Sequence, residues 1–412
     1  MENIDIQKYC NNICDYYIIN FPLELSNEKY EDIIISEIIT NLEQYNDDNI
    51  NKLLNETNTK EIIKQNVITY MNEKYIMRCN GNTYETIENY NDEYIKIIDD
   101  KLNYLKNIKQ PEQRTKEWYI FRQEHLTASN LWKVFGTKSN LNQLIYDKCL
   151  PLNTDKYKGG FTETPMSWGH KYEDVSIMVY EQNFNTKIRD YGCIPHKEYD
   201  YIAASPDGIN DDNSKTIYGR MLEIKNIYNR KITGIPKKEY WIQMQLQMEV
   251  CDLNECDFLE TRFIEYNGYD DFTKDGTFTL TKDKKQKGIM MYIIDKVNEC
   301  PIYIYMPLDY NLKQFKDWEN LNLQKYNNEN YEWLKNIYWK LDQFSCVLVK
   351  RNNHWFNKAL PHLEKVWNII KKEKEDGTYV KRAPKKRVSK TKQESSSENI
   401  NNGSLNDALI II

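Results

Sequence analysis

The spacing of apolar positions divides the chain into a helical first quarter and a mixed remainder. Within residues 1–108, segments such as Tyr30–Ile39 place apolar side chains three or four positions apart, the spacing of one helix face. From residue 114 onward, helix-like and strand-like patterns alternate. We therefore predict an α/β protein that begins with a helical segment.

The segment from 114 to 266 holds the clearest element signals. Thr164 and Pro165 are a good cap and first residue for one of its helices, and Gly136 ends another. Helices are predicted at 115–124, 128–135, 165–180 and 236–250, and strands at 187–194, 201–205, 217–225 and 256–266. This order favours a sheet core flanked by helices over a doubly wound parallel fold.

The signals for helices and strands are weaker in the remaining segments. Strands are predicted at 277–281, 290–294 and 302–305, an aromatic-rich helix near Trp318 and Trp333, a closing strand at 346–350 and a closing helix at 355–371. After Gly377 the chain becomes basic and then rich in Ser and Asn, which predicts a disordered tail. The predicted division is an acidic helical segment 1–110, a core 111–266, an elaboration 267–338, closing elements 339–376 and a tail 377–412.

Composition fits a globular protein. Of the 412 residues, 40% are hydrophobic and 13% aromatic, enough to bury a core and to exclude a wholly disordered chain. The start of the chain lacks a signal-peptide pattern, and no apolar run approaches the ~20 residues of a membrane helix. Nine scattered cysteines without a CxxC pair favour reduced thiols over a zinc or iron–sulfur site. We expect a soluble intracellular protein with no membrane partner.

Charge is distributed unevenly. The net charge is −6, but residues 1–108 carry 20 acidic and 10 basic side chains, so the rest of the chain is mildly basic. Residues 220–240 hold six basic side chains against two acidic ones, a balance that fits a DNA-binding track and a solvated face alike. The basic tail fits nonspecific DNA binding, an import signal or a solubilising role.

Two short motifs carry candidate chemistry. Ser205-Pro206-Asp207-Gly208 reads as a turn after a strand, and the next strand places Glu223 and Lys225 on one face. Each motif alone is common as a hairpin turn or a solvated strand. Together, two carboxylates and a backbone carbonyl suit Mg²⁺, and an ammonium can orient water and offset phosphate charge. The combination predicts metal-dependent hydrolysis of phosphodiesters.

Four blocks in order carry a family resemblance. They are RTKEW…R…LTAS from Arg114, WGHKYE from Trp168, SPDG…LEIK from Ser205 to Lys225, and YWIQMQ from Tyr240. These blocks resemble the lambda-exonuclease-type viral recombination nucleases, the YqaJ family of the PD-(D/E)xK superfamily. The resemblance covers about 114–266. It implies a restriction-endonuclease-like core, in which helices flank a central mixed sheet.

The resemblance also implies roles for single residues. Asp207, Glu223, the Ile224 carbonyl and Glu173 would hold Mg²⁺, with Mn²⁺ as a substitute, and Lys225 would be the catalytic lysine. A further set matches the positions that hold the terminal 5′-phosphate in the family: Arg122, Ser129, Ser205 and Gln243. Guanidinium, hydroxyl and amide groups all donate hydrogen bonds to phosphate oxygens. Arg230 and Lys231 lie near another basic phosphate contact, with a spacing that differs by about one residue.

The activity implied by the resemblance is a DNA exonuclease. It would degrade duplex DNA from the 5′ end in viral recombination, repair or replication, and leave a 3′ strand for annealing. The partners would be duplex DNA ends, a single-strand annealing protein and further copies of the chain. Asn, Ile, Lys and Tyr are plentiful, which indicates an AT-rich coding genome. Together with the family, this bias indicates a large DNA virus, hence the host-cell cytoplasm and the virion. A structure-specific or nicking endonuclease and a catalytically silent DNA-binding or scaffold protein remain alternatives.

Overall fold

A computed structural model describes residues 6–44, 58–75, 78–79, 90–113, 115–152 and 164–384. Arg114, which opens the first sequence block, and the tail residues Lys385, Lys386 and Arg387 lie outside the described residues. Among the helices that are described, none is both long and apolar enough to cross a membrane.

Helices flank a mixed sheet, as the sequence predicts. The helices are Ile6–Asn20 (α1), Tyr30–Gln44 (α2), Thr59–Lys74 (α3), Asp92–Asn107 (α4), Lys116–Glu124 (α5), Ala128–Leu131 (α6), Lys138–Cys149 (α7), Pro165–Phe184 (α8), Lys238–Cys251 (α9), Tyr269–Lys274 (α10), Leu312–Tyr326 (α11) and Asn353–Asp376 (α12). Short 3₁₀ turns span Pro22–Ser26, Trp132–Phe135 and Thr378–Arg382. The α/β class, the central mixed sheet and the N-terminal helices are confirmed.

Ten strands form two sheets in the described part. The strands are Leu126–Thr127 (β1), Ile188–Arg189 (β2), Ile194–Pro195 (β3), Ile202–Ala204 (β4), Gly208–Asn210 (β5), Met221–Asn226 (β6), Glu255–Glu265 (β7), Lys287–Asp295 (β8), Cys300–Tyr305 (β9) and Tyr331–Lys350 (β10). The larger sheet has the order β2-β5-β6-β7-β10-β8-β9, and the smaller one β1-β4-β3. Within the larger sheet as described, β6 and β7 are the one parallel pair. Parallel strands need a long crossover connection, and α9 supplies it.

The N-terminal helices belong to the same hydrophobic core as the later elements. Buried residues of α1 to α4 form one cluster with residues of α9 and α12, including Trp241 and Trp355. The Trp241 indole donates to the Arg78 carbonyl at 2.8 Å, and the buried Arg78 guanidinium donates to the Pro236 carbonyl. Since apolar burial is the main source of stability, helices α1 to α4 are an integral part of the fold.

Helix α4 is fastened to the sheet region by packing and by charge. Gly219 has a φ of +78°, and a Cβ there would lie 2.6 Å from Ile98 Cγ2. Glycine therefore serves both the backbone conformation and the close approach of the helix. Lys106 at the end of α4 forms an ion pair with Asp211 at 2.9 Å.

Several predicted strands differ from the structure. The strand expected at 187–194 is interrupted after Arg189, where Gly192 lies so near Pro111 that a Cβ would be 2.3 Å from its carbonyl oxygen. Residues 277–281 do not form a strand, and only Leu280 bridges to Gln286. At the start of the segment predicted as a tail, Thr378–Arg382 forms a 3₁₀ turn, and the Arg382 guanidinium pairs with Glu373 of α12.

The aromatic-rich helix predicted near Trp318 and Trp333 is present at Trp318, in α11, but does not extend to Trp333. Trp333 lies in β10, a 20-residue strand that crosses the boundary placed between 338 and 339. Residues 339–350 of this strand pair with β7, and residues 331–340 pair with β8 on the other side. The buried residues Ile337, Trp339 and Leu341 alternate as in a strand, so pairing with two neighbours overrides the local pattern.

Candidate active site

Asp207 lies in the turn between β4 and β5, beside β6. Its Oδ2 accepts a hydrogen bond from the Ile224 backbone N–H at 2.7 Å, so the turn and the strand carrying Glu223 are directly linked. The turn needs glycine after the aspartate, because a Cβ on Gly208 would lie 2.2 Å from Ile188 Cγ2. The convergence expected from the two sequence motifs is present in the structure.

Glu223 is completely buried in the middle of β6. One carboxylate oxygen accepts from the Lys225 ammonium, and the other accepts from Gln247 Nε2 at 2.7 Å. The same Gln247 nitrogen donates to the Ser205 carbonyl at 3.2 Å. Gln247 therefore ties Glu223 to the strand end that precedes Asp207.

Burial and neighbouring charges shift the pKa values of Asp207 and Lys225. Burial and the nearby Glu223 carboxylate raise the pKa of Asp207 well above its ordinary value, against the opposing effect of Lys225. Burial alone would lower the pKa of Lys225, but the carboxylates of Glu223 and Asp207 outweigh it and raise that pKa. Lys225 is thus an ammonium at neutral pH, and it lies 5.0 Å from the centre of the Tyr240 ring.

Glu173 reaches the cluster from helix α8. The helix begins with a capping box, in which Thr164 Oγ1 accepts from the Ser167 N–H and Ser167 Oγ accepts from the Thr164 N–H. Asn226, next to Lys225, donates to the Gly169 carbonyl at 2.9 Å and accepts from Ser176 Oγ at 2.6 Å. These two contacts lie on either side of Glu173 and hold α8 against β6.

The residues present fit a hard divalent cation. Carboxylates from three elements face one region. Burial, and then repulsion from Glu223 and Glu173, raises the pKa of Asp207, so added positive charge would be favourable there. Within the described ranges, no three His, Cys, Asp or Glu side chains form a ready cation cage. Mg²⁺ tolerates this because it keeps several waters and needs only one or two carboxylates. Asp207, Glu223, the Ile224 carbonyl and Glu173 would hold it.

A cavity of about 580 Å³ opens beside Asp207 and Glu173; we call it the Arg122 cavity. The four residues matched to the phosphate positions all line it: Arg122, Ser129, Ser205 and Gln243. Arg122 comes from α5 and donates to Ser129 Oγ at 2.9 Å, while its guanidinium stacks 4.3 Å from the Trp118 ring centre. Hydrogen-bond donors for an anion thus converge next to the carboxylate cluster.

A second cavity, of about 410 Å³, is also lined by Asp207 and Glu173; we call it the Lys225 cavity. Arg230 lines it, but its guanidinium is already paired with the buried Glu260 at 2.5 Å. Lys231 is exposed and lines neither cavity. The structure therefore brings one of the two adjacent basic residues to the site and leaves the other outside.

Sequence reasoning missed two residues of this region. Gln247 contacts Glu223 directly, and its place one helical turn after Gln243 was an available signal. Lys148 is buried and lines the Arg122 cavity, but its position in the middle of an ordinary helix pattern gives no signal. Its role depends on contacts between distant segments.

Comparisons with known proteins agree with the sequence blocks. Residues 117–254 match the family model of the YqaJ-like viral recombinase domain. Over 333 residues the chain is 31% identical to an uncharacterized protein of Acanthamoeba polyphaga mimivirus, an alignment that covers 70% of this chain and 59% of that protein. The chain thus spans 59% of this relative's length. The predicted resemblance to a viral recombination family is confirmed.

Two solved structures are similar over most of their own length. An alkaline exonuclease from Laribacter hongkongensis is 17% identical, with 65% of this chain and 97% of that chain covered and a TM-score of 0.38. A phage-related exonuclease from Haemophilus somnus 129PT is 12% identical, with 63% and 99% covered and a TM-score of 0.33.

Proposed function

Because residues 117–254 form a YqaJ-like viral recombinase domain, we propose that the protein is a Mg²⁺-dependent DNA exonuclease that degrades duplex DNA from the 5′ end. One observation carries the proposal: the four side chains predicted to bind the phosphate and the carboxylates Asp207 and Glu173 line the same cavity, the Arg122 cavity. A phosphate bound by Arg122 would place the next phosphodiester beside the carboxylates. Cleavage would then start at an end.

In the proposed reaction, acidic and basic side chains have different roles. Bound Mg²⁺ would lower the pKa of its water and polarise the phosphoryl oxygens. Lys225, kept protonated by its neighbouring carboxylates, offsets the negative charge that develops on the phosphate. Arg122 and Ser129 hold the end phosphate, and a fixed substrate end lowers the entropic part of the barrier.

The first experiment compares Asp207→Asn with the unchanged protein on linear duplex DNA and Mg²⁺. We expect the variant to lose at least about 100-fold in rate, because it removes a negative metal ligand. Omitting Mg²⁺, or adding EDTA, should abolish digestion by the unchanged protein, and Mn²⁺ should restore it. Full activity of the variant would contradict the proposed site.

A second set of substrates tests the direction. Duplexes with 5′-phosphorylated ends should be digested faster than those with 5′-hydroxyl ends, and a label at the 5′ end should be released first. Digestion of closed circular DNA would instead identify an endonuclease. Binding to DNA without any digestion would identify a silent DNA-binding or scaffold protein.

The proposed setting is viral recombination, repair or replication in the host-cell cytoplasm. The partners are duplex DNA ends and a protein that anneals the 3′ strand left by digestion. Copurification of this protein with an annealing protein from infected cells would support the proposed partner. The size of the purified protein on a calibrated gel-filtration column would give the number of copies in its assembly.

A further inference from the structure

Lys148 is a buried cation at the wall of the Arg122 cavity. The residue is 5% exposed and lines the cavity together with Arg122. Its ammonium donates to the Arg122 carbonyl and, at 2.5 Å, to the His125 carbonyl. An ammonium has three N–H groups, so within the described residues one N–H is left for an oxygen atom in the cavity.

Lys148 of α7 and Gln123 of α5 each cap the C-terminal end of the other residue's helix. The Lys148 ammonium binds carbonyls at the end of α5, and Gln123 Nε2 donates to the Asp147 and Leu150 carbonyls at 2.7 and 3.0 Å, at the end of α7. These bonds satisfy carbonyls that have no partner within their own helix. They also fix the turn that separates Arg122 from Ser129.

The charges around Lys148 favour the binding of an anion. Burial and the charge of Arg122 lower the pKa of Lys148 to about 7. The other groups that face it are Lys133, His125, Asp147 and Cys193. Asp147 is also within 3.9 Å of Lys133. The buried Lys148 ammonium and the partly exposed Arg122 guanidinium repel each other, and a bound dianion would relieve that repulsion.

We propose that Lys148 is a further binding residue for the end phosphate of the DNA, adding a second positive charge to that of Arg122 while holding the turn between Arg122 and Ser129. The inference rests on the proposed function, since it assumes that the Arg122 cavity receives a 5′-phosphate. It assigns Lys148 a part in selecting phosphorylated ends.

The test measures binding without cleavage. Fluorescence anisotropy in EDTA compares a duplex bearing a 5′-phosphate with one bearing a 5′-hydroxyl, for the unchanged protein, Lys148→Met, Lys148→Arg and Lys287→Met. Lys287 is the matched control: it is fully buried and donates at 2.6 Å to the carbonyls of Phe272 and Asp275. It lines neither cavity.

We expect the preference for the phosphate to fall about tenfold in Lys148→Met, the effect of one lost charged hydrogen bond. Lys287→Met should keep the preference of the unchanged protein, and Lys148→Arg should restore most of it. An unchanged preference in Lys148→Met, or an equal loss in Lys287→Met, would overturn the inference.

The pH profile keeps the test valid if Lys148→Met does not fold. Phosphate binding favours the charged form of Lys148, so the preference should be greatest at pH 7 and decline toward pH 9, where the free side chain has lost its proton. Lys148→Arg stays charged throughout, and its preference should stay level. Equal profiles would overturn the inference.

The outcomes for the two proposals are separate. A protein that prefers phosphorylated ends through Lys148 but digests no DNA would contradict the proposed exonuclease and leave the phosphate site standing. A protein that digests DNA but does not prefer 5′-phosphorylated ends, either in binding or in digestion, would contradict the role of Lys148 and leave the proposed nuclease activity standing.

Discussion

Gln247 is the residue that most directly fixes a proposed metal ligand. It is fully buried and donates to both Glu223 and the Ser205 carbonyl. Partners of this kind orient a ligand, and their loss weakens metal binding by about 10- to 100-fold. Gln247→Met should therefore raise the Mg²⁺ concentration needed for half-maximal activity by roughly tenfold, as measured by titration of the nuclease rate.

Gln245 provides the control on the same helix. It is also buried, donating to the Lys350 carbonyl at 3.0 Å and accepting from the Asn352 N–H at 2.7 Å. Gln245→Met should lose about 1–3 kcal/mol of unfolding free energy without changing the Mg²⁺ requirement. A shift of the same size in both variants would mean that Gln247 acts through stability alone.

At the residue level, site residues that lie close together in the sequence could be predicted from it, whereas those brought together from distant segments could not. Asp207, Glu223 and Lys225 lie within 19 residues of one another and follow from turn chemistry and strand alternation. The position of Glu173, and of the four residues around the Arg122 cavity, required the family resemblance. Lys148 acts through carbonyls 23 and 26 positions away, and no local pattern records such a contact.

At the level of elements, Asn226 couples helix α8 to strand β6. Its side chain bonds Gly169 and Ser176 of the helix, and Thr261 Oγ1 of β7 also donates to it at 2.7 Å. Asn226→Ala should let α8 shift and misplace Glu173. We expect single-turnover cleavage at saturating DNA to slow by roughly 10- to 100-fold.

Thr186 offers a comparison at the far end of α8. Its hydroxyl is buried and donates to Asn210 Oδ1 at 2.8 Å. Thr186→Val should lower stability by about 1–3 kcal/mol while cleavage at saturating DNA keeps its rate. If both variants slow cleavage equally, the contacts beside Glu173 have no special part in positioning it.

Strand β10 shows why element type was harder to predict outside the core. The stretch around Trp333 is rich in charged and aromatic residues, and its spacing resembles a helix. In the structure it is a strand because β8 supplies a pairing partner. Propensity is a weak guide where a neighbouring strand decides the backbone conformation.

At the level of the whole molecule, the acidic N-terminal helices and the core that carries the candidate site should unfold together. Gly219→Ala tests this, because the added Cβ would press on Ile98 of α4 and the φ is positive. We expect a loss of roughly 2–4 kcal/mol and one cooperative transition in urea. A separate early transition would show that the N-terminal helices unfold independently.

Gly377 is the matched glycine. Its φ is +74°, and no atom lies within 4 Å of an added Cβ. Gly377→Ala should therefore cost only the backbone strain, about 1 kcal/mol. The difference between the two variants measures how tightly α4 packs against the sheet region, and equal losses would argue against that packing.

The continuity of β10 also has a mechanical consequence. One half of the strand is bonded to β7 beside the carboxylate cluster, and the other half carries the β8–β9 hairpin. A force or a fluctuation on the hairpin is transmitted along a single backbone to the centre of the sheet. The hairpin is thus joined to the central sheet through one continuous strand, and the amide protons of β8, which is paired on both sides, should exchange with solvent as slowly as those of β7.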